Sequence, residues 1–375
     1  MTVDADVIVV GAGPGGASAA YFLKQQGYKV IVIEKEKLPR YKACGGGVPN
    51  SVFDFFPFQF DNVVEQHISY ATFAYGERQV TLPVERQSLT MVMRDEFDHY
   101  ILQQSQAEVC EGVAVKAVTQ DEDKITVKTN GPTFTSNYLI AADGANSPVA
   151  RSLGLREGKQ LGVALEIEAE VDDEILDSFH ERFLIGLGKV NRGYYWVFPK
   201  EKHLSVGIGS TVRGEKTLPN LLDEAMQALG VSTENGQRFA HPLPVRTRRE
   251  QLQVGNVLLV GDAAGLIDPL TGEGIRHAIE SAKIAADMIV ANTVSDYTAL
   301  IEKNYADDLE WALRLAGIVY NTQYVSFEWL LRNKKVLPDL LRILSNRMSY
   351  QQLLFKLPLY AVNFGNRLPL DDQTI

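Results

Sequence analysis

The glycine cluster Gly11-Ala-Gly-Pro-Gly-Gly16 constrains this chain more than any other stretch, because of what flanks it. Val7-Ile-Val-Val10 reads as a buried parallel strand, and Ala17 to Gln26 reads as a helix closed by Gly27. Strand, tight turn and helix in that order make the phosphate-binding corner of a dinucleotide fold. Gly11 permits the turn, Gly13 lets backbone amides approach a pyrophosphate, and Gly16 lets the helix pack on the strand. The phosphates then meet the positive end of the helix. A second strand, Lys29 to Ile33, delivers Glu34, 23 residues beyond Gly11, about where a ribose hydroxyl is accepted. Gly15 and Lys35 complete the candidate contacts of this corner.

The rest of the composition excludes several alternatives. At 375 residues and 45% hydrophobic content the chain can bury a large core divided among two or three domains. A net charge of -10 argues against a nucleic-acid surface, which needs a basic face. The N-terminus is a core strand carrying Asp4 and Asp6, unlike a secretory or transit signal. No uncharged apolar run approaches the roughly 18 residues of a membrane span. Two cysteines, Cys44 and Cys110, suit a reducing, cytoplasmic compartment and exclude a four-cysteine iron-sulfur cluster. The six histidines show no metal-site spacing, so no metal is expected.

Periodicity then divides the chain. Arg94 to Glu108 reads as a helix, and Val113 to Ala142 as short alternating strands that form a meander within the first domain. Stronger alternation follows in 163–171, 183–188, 194–198 and 204–210, with a helix near 218–229, which predicts a mostly antiparallel second domain. Asn256 to Val260 reads as another buried strand, and it runs directly into Gly261-Asp262. Five phenylalanines between Phe53 and Phe60 either line a tunnel or fill core. The expected fold class is α/β: a discontinuous Rossmann-like domain over 1–161 and 245–300, an antiparallel substrate domain over 162–244, and a helical region over 301–375.

Two further segments carry a family resemblance. Ala142-Asp-Gly-Ala-Asn-Ser147 with Arg151, and Gly261-Asp-Ala-Ala-Gly265 with Pro269 and Gly272-Glu-Gly-Ile275, resemble the paired fingerprints of the p-hydroxybenzoate hydroxylase superfamily of FAD enzymes. The resemblance implies that FAD is the cofactor, that Asp143 and Gly144 lie at its site, that Asp262 hydrogen-bonds the ribityl chain, and that Arg94 lies along the cofactor. Gly272 and Gly274 would let backbone approach a flat ring, and amides of a helix starting near Ile275 would face its pyrimidine side. The same glycines also suit a plain turn before an apolar helix.

Within that superfamily, Pro39-Arg-Tyr-Lys-Ala-Cys-Gly-Gly-Gly47 and Tyr194-Tyr-Trp-Val-Phe-Pro199, followed by Gly207-Ile-Gly209, resemble the geranylgeranyl reductase family. The likeness implies that the loop bearing Ala43, Cys44 and Gly45 lies by the isoalloxazine and that the aromatic strand lines the substrate pocket. Period-2 alternation puts Tyr194, Trp196 and Phe198 on one strand face, a wall suited to a polyprenyl chain, although alternate aromatics also occur in ordinary sheet cores. Cys44, near Arg40 and Lys42, is either a proton-donating thiol or a small space-filler. Tyr194 is a second candidate proton donor. Cys110 reads as structural.

The implied activity is reduction of carbon-carbon double bonds in a polyprenyl lipid, with electrons from NADPH or from a separate carrier such as ferredoxin. A flavin monooxygenase or halogenase acting on an aromatic or polyketide-like substrate keeps every FAD argument, and a non-catalytic flavin carrier is a third reading. Between Phe327 and Leu368, Arg332, Lys334, Lys335, Arg342, Arg347, Lys356 and Arg367 outnumber Glu328 and Asp339, so this region is either a cap touching an anionic membrane surface or helices with a solvated basic face. Arg246-Thr-Arg-Arg249 either holds a phosphate group or is solvated. Protein purified from its host is expected to be yellow, with flavin absorbance released on denaturation; colourless protein that takes up no added FAD would contradict the cofactor assignment.

Overall fold

The computed structural model describes residues 3–86, 88–121, 124–155, 160–212, 215–232, 236–333 and 335–361. It forms two compact units, one of segments 1–41, 94–160 and 243–309, the other of 42–93, 161–242 and 310–375.

At the centre of the first unit lies Ala5–Val10. It belongs to five parallel strands in the order Val257–Leu259, Thr133–Ala141, Ala5–Val10, Val30–Glu34, Glu108–Glu111. Val7 to Val10 and Val30 to Glu34 are buried throughout, as continuous apolar strands covered on both faces must be. The chain runs from the centre to one edge, then returns to build the other side, so the order reverses beside Ala5–Val10. A reversal of this kind opens a crevice at the carboxyl ends of the strands. Strands Val115–Asp121, Lys124–Thr129 and Thr133–Ala141 pair antiparallel as the expected meander, whose last member also enters the parallel sheet. Helix Pro14–Gln25 packs against Arg94–Ser105 and Ile275–Val290. It starts three residues earlier than the apolar pattern predicts, because Pro14 occupies the first turn, where a missing N–H costs nothing.

The second unit is built on a seven-stranded sheet in the order Arg238–Val245, Gln160–Ala169, Leu204–Ser210, Gly193–Pro199, Arg182–Leu187, Tyr70–Tyr75, Arg78–Pro83. From Gln160–Ala169 onward the pairs are antiparallel, except Arg182–Leu187 beside Tyr70–Tyr75, which is parallel. Val197, Leu204, Val206 and Ile208 join Leu222 and Met226 of helix Leu218–Ala228 in one core. Trp196 pairs with Gly207, and Tyr195 with Gly186. A Cβ on either glycine would lie 2.0 Å or 1.9 Å from the facing ring, so each aromatic occupies the space its neighbour leaves empty. Of the phenylalanine cluster, Phe56 and Phe60 are buried and pack at 5.6 Å with each other, while Phe53 and Phe58 pack on Phe60 at 4.8 and 5.0 Å.

The C-terminal part is helical over Gln323–Arg332, Val336–Leu344 and Tyr350–Ala361. Lys356 and Arg342 pair with Asp339 at 3.1 and 3.6 Å, and Arg347 pairs with Glu85. These cations pair with carboxylates while their side chains stay 37–52% exposed, and Lys335 is exposed, which is the solvated basic face of the second alternative; the membrane contact is not supported, and Lys334, Arg367 and the Arg332 side chain lie outside the described residues. Among the described residues no helix is long and apolar enough to cross a membrane.

Gly207→Val is expected to force its side chain into the Trp196 ring and to cost about 1–3 kcal/mol, read as a lower thermal midpoint. Gly317→Ala, in open space within helix Asp307–Asn321, is expected to hold or raise that midpoint.

Candidate active site

Four sequence segments emerge from neighbouring strands of the first unit at the same end of the sheet. Val10 pairs with Ile33 on one side and Ala141 on the other, and Ala141 pairs with Leu259. The residues that follow these positions are Gly11, Glu34, Asp143-Gly144 and Gly261-Asp262, so parallel register alone collects them. Backbone bonds lock the arrangement: Gly11 N–H donates to Ile33 O, Ala142 N–H to Val10 O, and Val260 N–H to Ala141 O, at 2.8, 2.8 and 3.0 Å.

The glycines of this end divide by what a side chain would meet. Gly11, at φ +95°, would place a Cβ 2.4 Å from Ala142 O, and Gly16 would place one 1.8 Å from Gly11 O. Gly15 abuts Ala278 O and Val260, and Gly261 abuts Ala278, so these positions let helix Ile275–Val290 close on the corner. Gly13 differs. Its nearest neighbour would be an Arg40 nitrogen, Nη2, at 3.5 Å, and its backbone is ordinary for any residue. Room beside Gly13 is therefore bounded by a guanidinium. Arg40 Nη1 is buried with no hydrogen-bond partner among the described residues. A buried guanidinium beside a glycine cradle at a helix N-terminus, with one nitrogen held by Asp98 and another unpartnered, fits a diphosphate.

Arg40 is held by Asp98, which also takes two hydrogen bonds from Arg94, at 2.9 and 2.7 Å. The Asp98 side chain is 3% exposed and Arg94's is 5%, so Arg94 is a buried anchor that fixes Arg40 through a shared carboxylate. Breaking such a buried pair costs about 3–5 kcal/mol. In the sequence Arg40 stands out only as a charge near Cys44; its pairing with Asp98, 58 positions away, has no local signal.

Glu34 is buried, and its carboxylate accepts the Ala12 N–H at 2.7 Å and the Glu36 N–H at 3.0 Å. Each oxygen keeps a lone pair for a hydroxyl, and the Ala12 bond ties it to the glycine loop. Lys35 points outward, with its side chain 72% exposed and paired to Glu36. Asp143 accepts the Val149 N–H at 3.1 Å, and Gly144, at φ +79°, has open space beside it.

On the far side of the sheet end, Asp262 stands in the one-turn helix Gly261–Ala264, with Oδ1 3.4 Å from where a Gly274 Cβ would lie. The Asp268 carboxylate accepts the Leu270 and Thr271 amides, and Gly272 N–H donates to Asp268 O, closing a turn with Gly272 at φ +73°. Gly274 caps the helix that begins at Ile275. Glu273 accepts the Arg276 N–H at 2.9 Å and pairs with the Arg276 guanidinium at 3.1 Å. Burial opposes the Glu273 charge, but Arg276 and His277 outweigh it and hold the carboxyl below its usual range.

In the second unit the two narrower motifs meet. A Cβ on Gly45 would strike Phe198 at 2.5 Å and Trp196 Nε1 at 3.0 Å, so the glycine loop lies directly on the aromatic face. Tyr194, Trp196 and Phe198 follow one another at ring separations of 6.0 and 6.3 Å. Their strand's other face, with Tyr195 and Val197, supplies the core. Cys44 is half-buried; its N–H donates to Glu166 Oε1 at 2.8 Å, and its Sγ accepts the Gly46 N–H at 3.4 Å. Ala43 precedes it as a half-buried loop residue. Burial and then Glu108 push the Cys110 thiol up, as suits a structural cysteine.

The basic run follows the solvated reading at Arg248 and Arg249, which are exposed, and departs from it at Arg246. Arg246 is buried and pairs with Glu302, Arg248 pairs with Glu250 at 3.2 Å, and Arg249 pairs with Asp307 at 3.0 Å. All three guanidinium groups are already engaged by carboxylates.

Comparison with known proteins agrees with this geometry. The family described as FAD binding domain matches residues 4–293. The chain is 31% identical over 309 residues to digeranylgeranylglycerophospholipid reductase of Methanocaldococcus jannaschii, covering 76% of each chain. It is 30% identical over 325 residues to the chloroplastic geranylgeranyl diphosphate reductase of Oryza sativa, covering 80% of this chain and 69% of that protein. The solved structure of a geranylgeranyl bacteriochlorophyll reductase-like protein from Thermoplasma acidophilum superposes with a TM-score of 0.75 at 24% identity, over 96% of this chain and 97% of that one.

Gly13→Ala is expected to leave the thermal midpoint of the FAD-free protein unchanged while weakening FAD binding about tenfold or more, measured by flavin fluorescence titration, because its methyl group enters the cradle and nothing else.

Proposed function

The chain belongs to the geranylgeranyl reductase family of FAD-dependent oxidoreductases, and on that premise we propose that it saturates carbon-carbon double bonds of a geranylgeranyl or related polyprenyl lipid. The observation that carries the reading is the packing of the Cys44–Gly46 loop on the Tyr194, Trp196, Phe198 face. A polyprenyl chain offers almost no hydrogen bonds, so recognition must come from apolar area held in fixed geometry. Three rings on one strand supply that area with little rotamer entropy to lose.

FAD, when bound and reduced, supplies hydride to one alkene carbon. The chain's own residues do the rest. Arg40 and the Gly11–Gly16 corner hold the diphosphate, Glu34 accepts a ribose hydroxyl, and Asp262 accepts ribityl hydroxyls. Gly272 and Gly274 admit the flat ring beside the start of helix Ile275–Val290. The aromatic face orients the lipid and excludes water, which matters because an isolated alkene is unpolarised and positioning must contribute much of the acceleration. Cys44 donates the proton that completes each saturation, with Tyr194 as the second candidate. Electrons arrive from NADPH or from a separate reduced carrier.

Dithionite-reduced protein, incubated anaerobically with free and head-group-bound geranylgeranyl lipids, is expected to add two hydrogens per reduced double bond, read as product mass. Flavin reoxidation only with oxygen uptake, together with a hydroxylated product, would instead assign an oxygenase. Cys44→Ala is expected to slow lipid-dependent flavin reoxidation about a hundredfold or more. An unchanged rate would remove the thiol from the reaction.

A further inference from the structure

Lys200 follows the aromatic strand and is completely buried, a rare environment for a lysine. Its Nζ donates to Gly45 O at 2.8 Å and to Val92 O at 2.9 Å. Val92 N–H in turn donates to Gly46 O at 2.9 Å, so the ammonium and the strand Leu89–Val92 grip the same stretch of loop. Gly46, at φ +69°, makes room for this grip: a Cβ there would lie 2.0 Å from Val92 O and 2.6 Å from Nζ.

The carbonyl that Lys200 holds and the N–H that meets Cys44 belong to one peptide group. Gly45 O accepts from Nζ, and Gly46 N–H donates to Cys44 Sγ at 3.4 Å. A trans peptide is rigid and planar, with its C=O and N–H pointing in opposite directions. Fixing the oxygen therefore aims the N–H. Glycine on both sides would otherwise leave this plane free to rotate. A cation on the oxygen also polarises the N–H, which strengthens the bond it makes. At the other end of the residue, buried Glu166 fixes the Cys44 N–H at 2.8 Å. We propose that Lys200 is a positioning residue: it orients and polarises the Gly45–Gly46 peptide so that its N–H is held on the Cys44 sulfur. The proposal deepens the reading above, in which Cys44 supplies the proton, and gives the buried Lys200 a part in that step. Burial pulls the Lys200 ammonium toward its neutral form, while Glu168, Glu166 and Glu65 near it favour the charge.

The test reads the thiol directly, without the lipid. In full-length protein carrying Cys110→Ser, so that Cys44 is the one thiol, the rate of alkylation by iodoacetamide is followed from pH 6 to pH 10, alongside thermal midpoint and bound flavin. Lys200→Met removes both hydrogen bonds of Nζ while keeping an unbranched side chain of similar length. It is expected to cut the rate at pH 7 about tenfold and to displace the profile to higher pH, whereas Lys200→Arg restores much of it. A folded Lys200→Met protein with an unchanged profile would overturn the proposal. If that variant does not fold, Lys200→Gln and Lys200→Arg carry the comparison: a slowed Gln variant beside a fast Arg variant supports it, and equal rates in the two overturn it. Should the profile move while Cys44→Ala still reduces lipid at full rate, the positioning of the sulfur stands and the proton-donor role of Cys44 falls.

Discussion

Parallel pairing around Ala5–Val10 is the interaction on which the first unit depends. Strands that run the same way and share register must end together, so Gly11, Glu34, Asp143 and Asp262 arrive at one edge although the chain separates them by more than 200 positions. Hydrophobic burial on both faces fixes that register, because the run from Val7 to Val10 offers no polar side that would tolerate a slip. Glycine then decides how closely the connecting segments approach. Where a side chain would collide with backbone, as at Gly11 and Gly16, the residue serves packing. Where the space is empty except for a guanidinium, as at Gly13, it leaves room for a ligand.

The second unit solves a related problem by pairing absence with bulk. Trp196 lies over Gly207 and Tyr195 over Gly186, on opposite faces of one strand. The face with Tyr195 supplies the core, and the face with Trp196 receives the Gly45 loop. Trp196 Nε1 is buried with no hydrogen-bond partner among the described residues, so the ring is retained at some cost in desolvation of its N–H.

Much of this was legible in the chain because it is written in short-range patterns. The strand-turn-helix corner, the 133–141 meander strand and the strands 182–187, 193–199 and 204–210 all carry period or composition signals within a few residues. The packing of Gly45 on Trp196 and Phe198 was anticipated only as two separate motifs whose resemblance pointed to one family. What was not legible depends on distant pairing. Tyr70–Tyr75 and Arg78–Pro83 extend the seven-stranded sheet from a segment in which the sequence reading singled out only the phenylalanine cluster, since their place is set by parallel pairing with Arg182–Leu187. Arg40, Lys200 and Arg246 are charged residues that a sequence places at the surface by default. Their burial follows from carboxylates and carbonyls contributed by remote segments.

Gly46 also constrains the history of Lys200. The ammonium fills the volume that a methyl group at position 46 would need, and the left-handed backbone there disfavours any replacement. A lineage that exchanged the lysine for a shorter residue would open a polar void beneath the loop, and one that first gained a side chain at 46 would expel the lysine. Glycine at 46 is held on its own account by Val92 O and the left-handed backbone, so loss of the lysine would not release it.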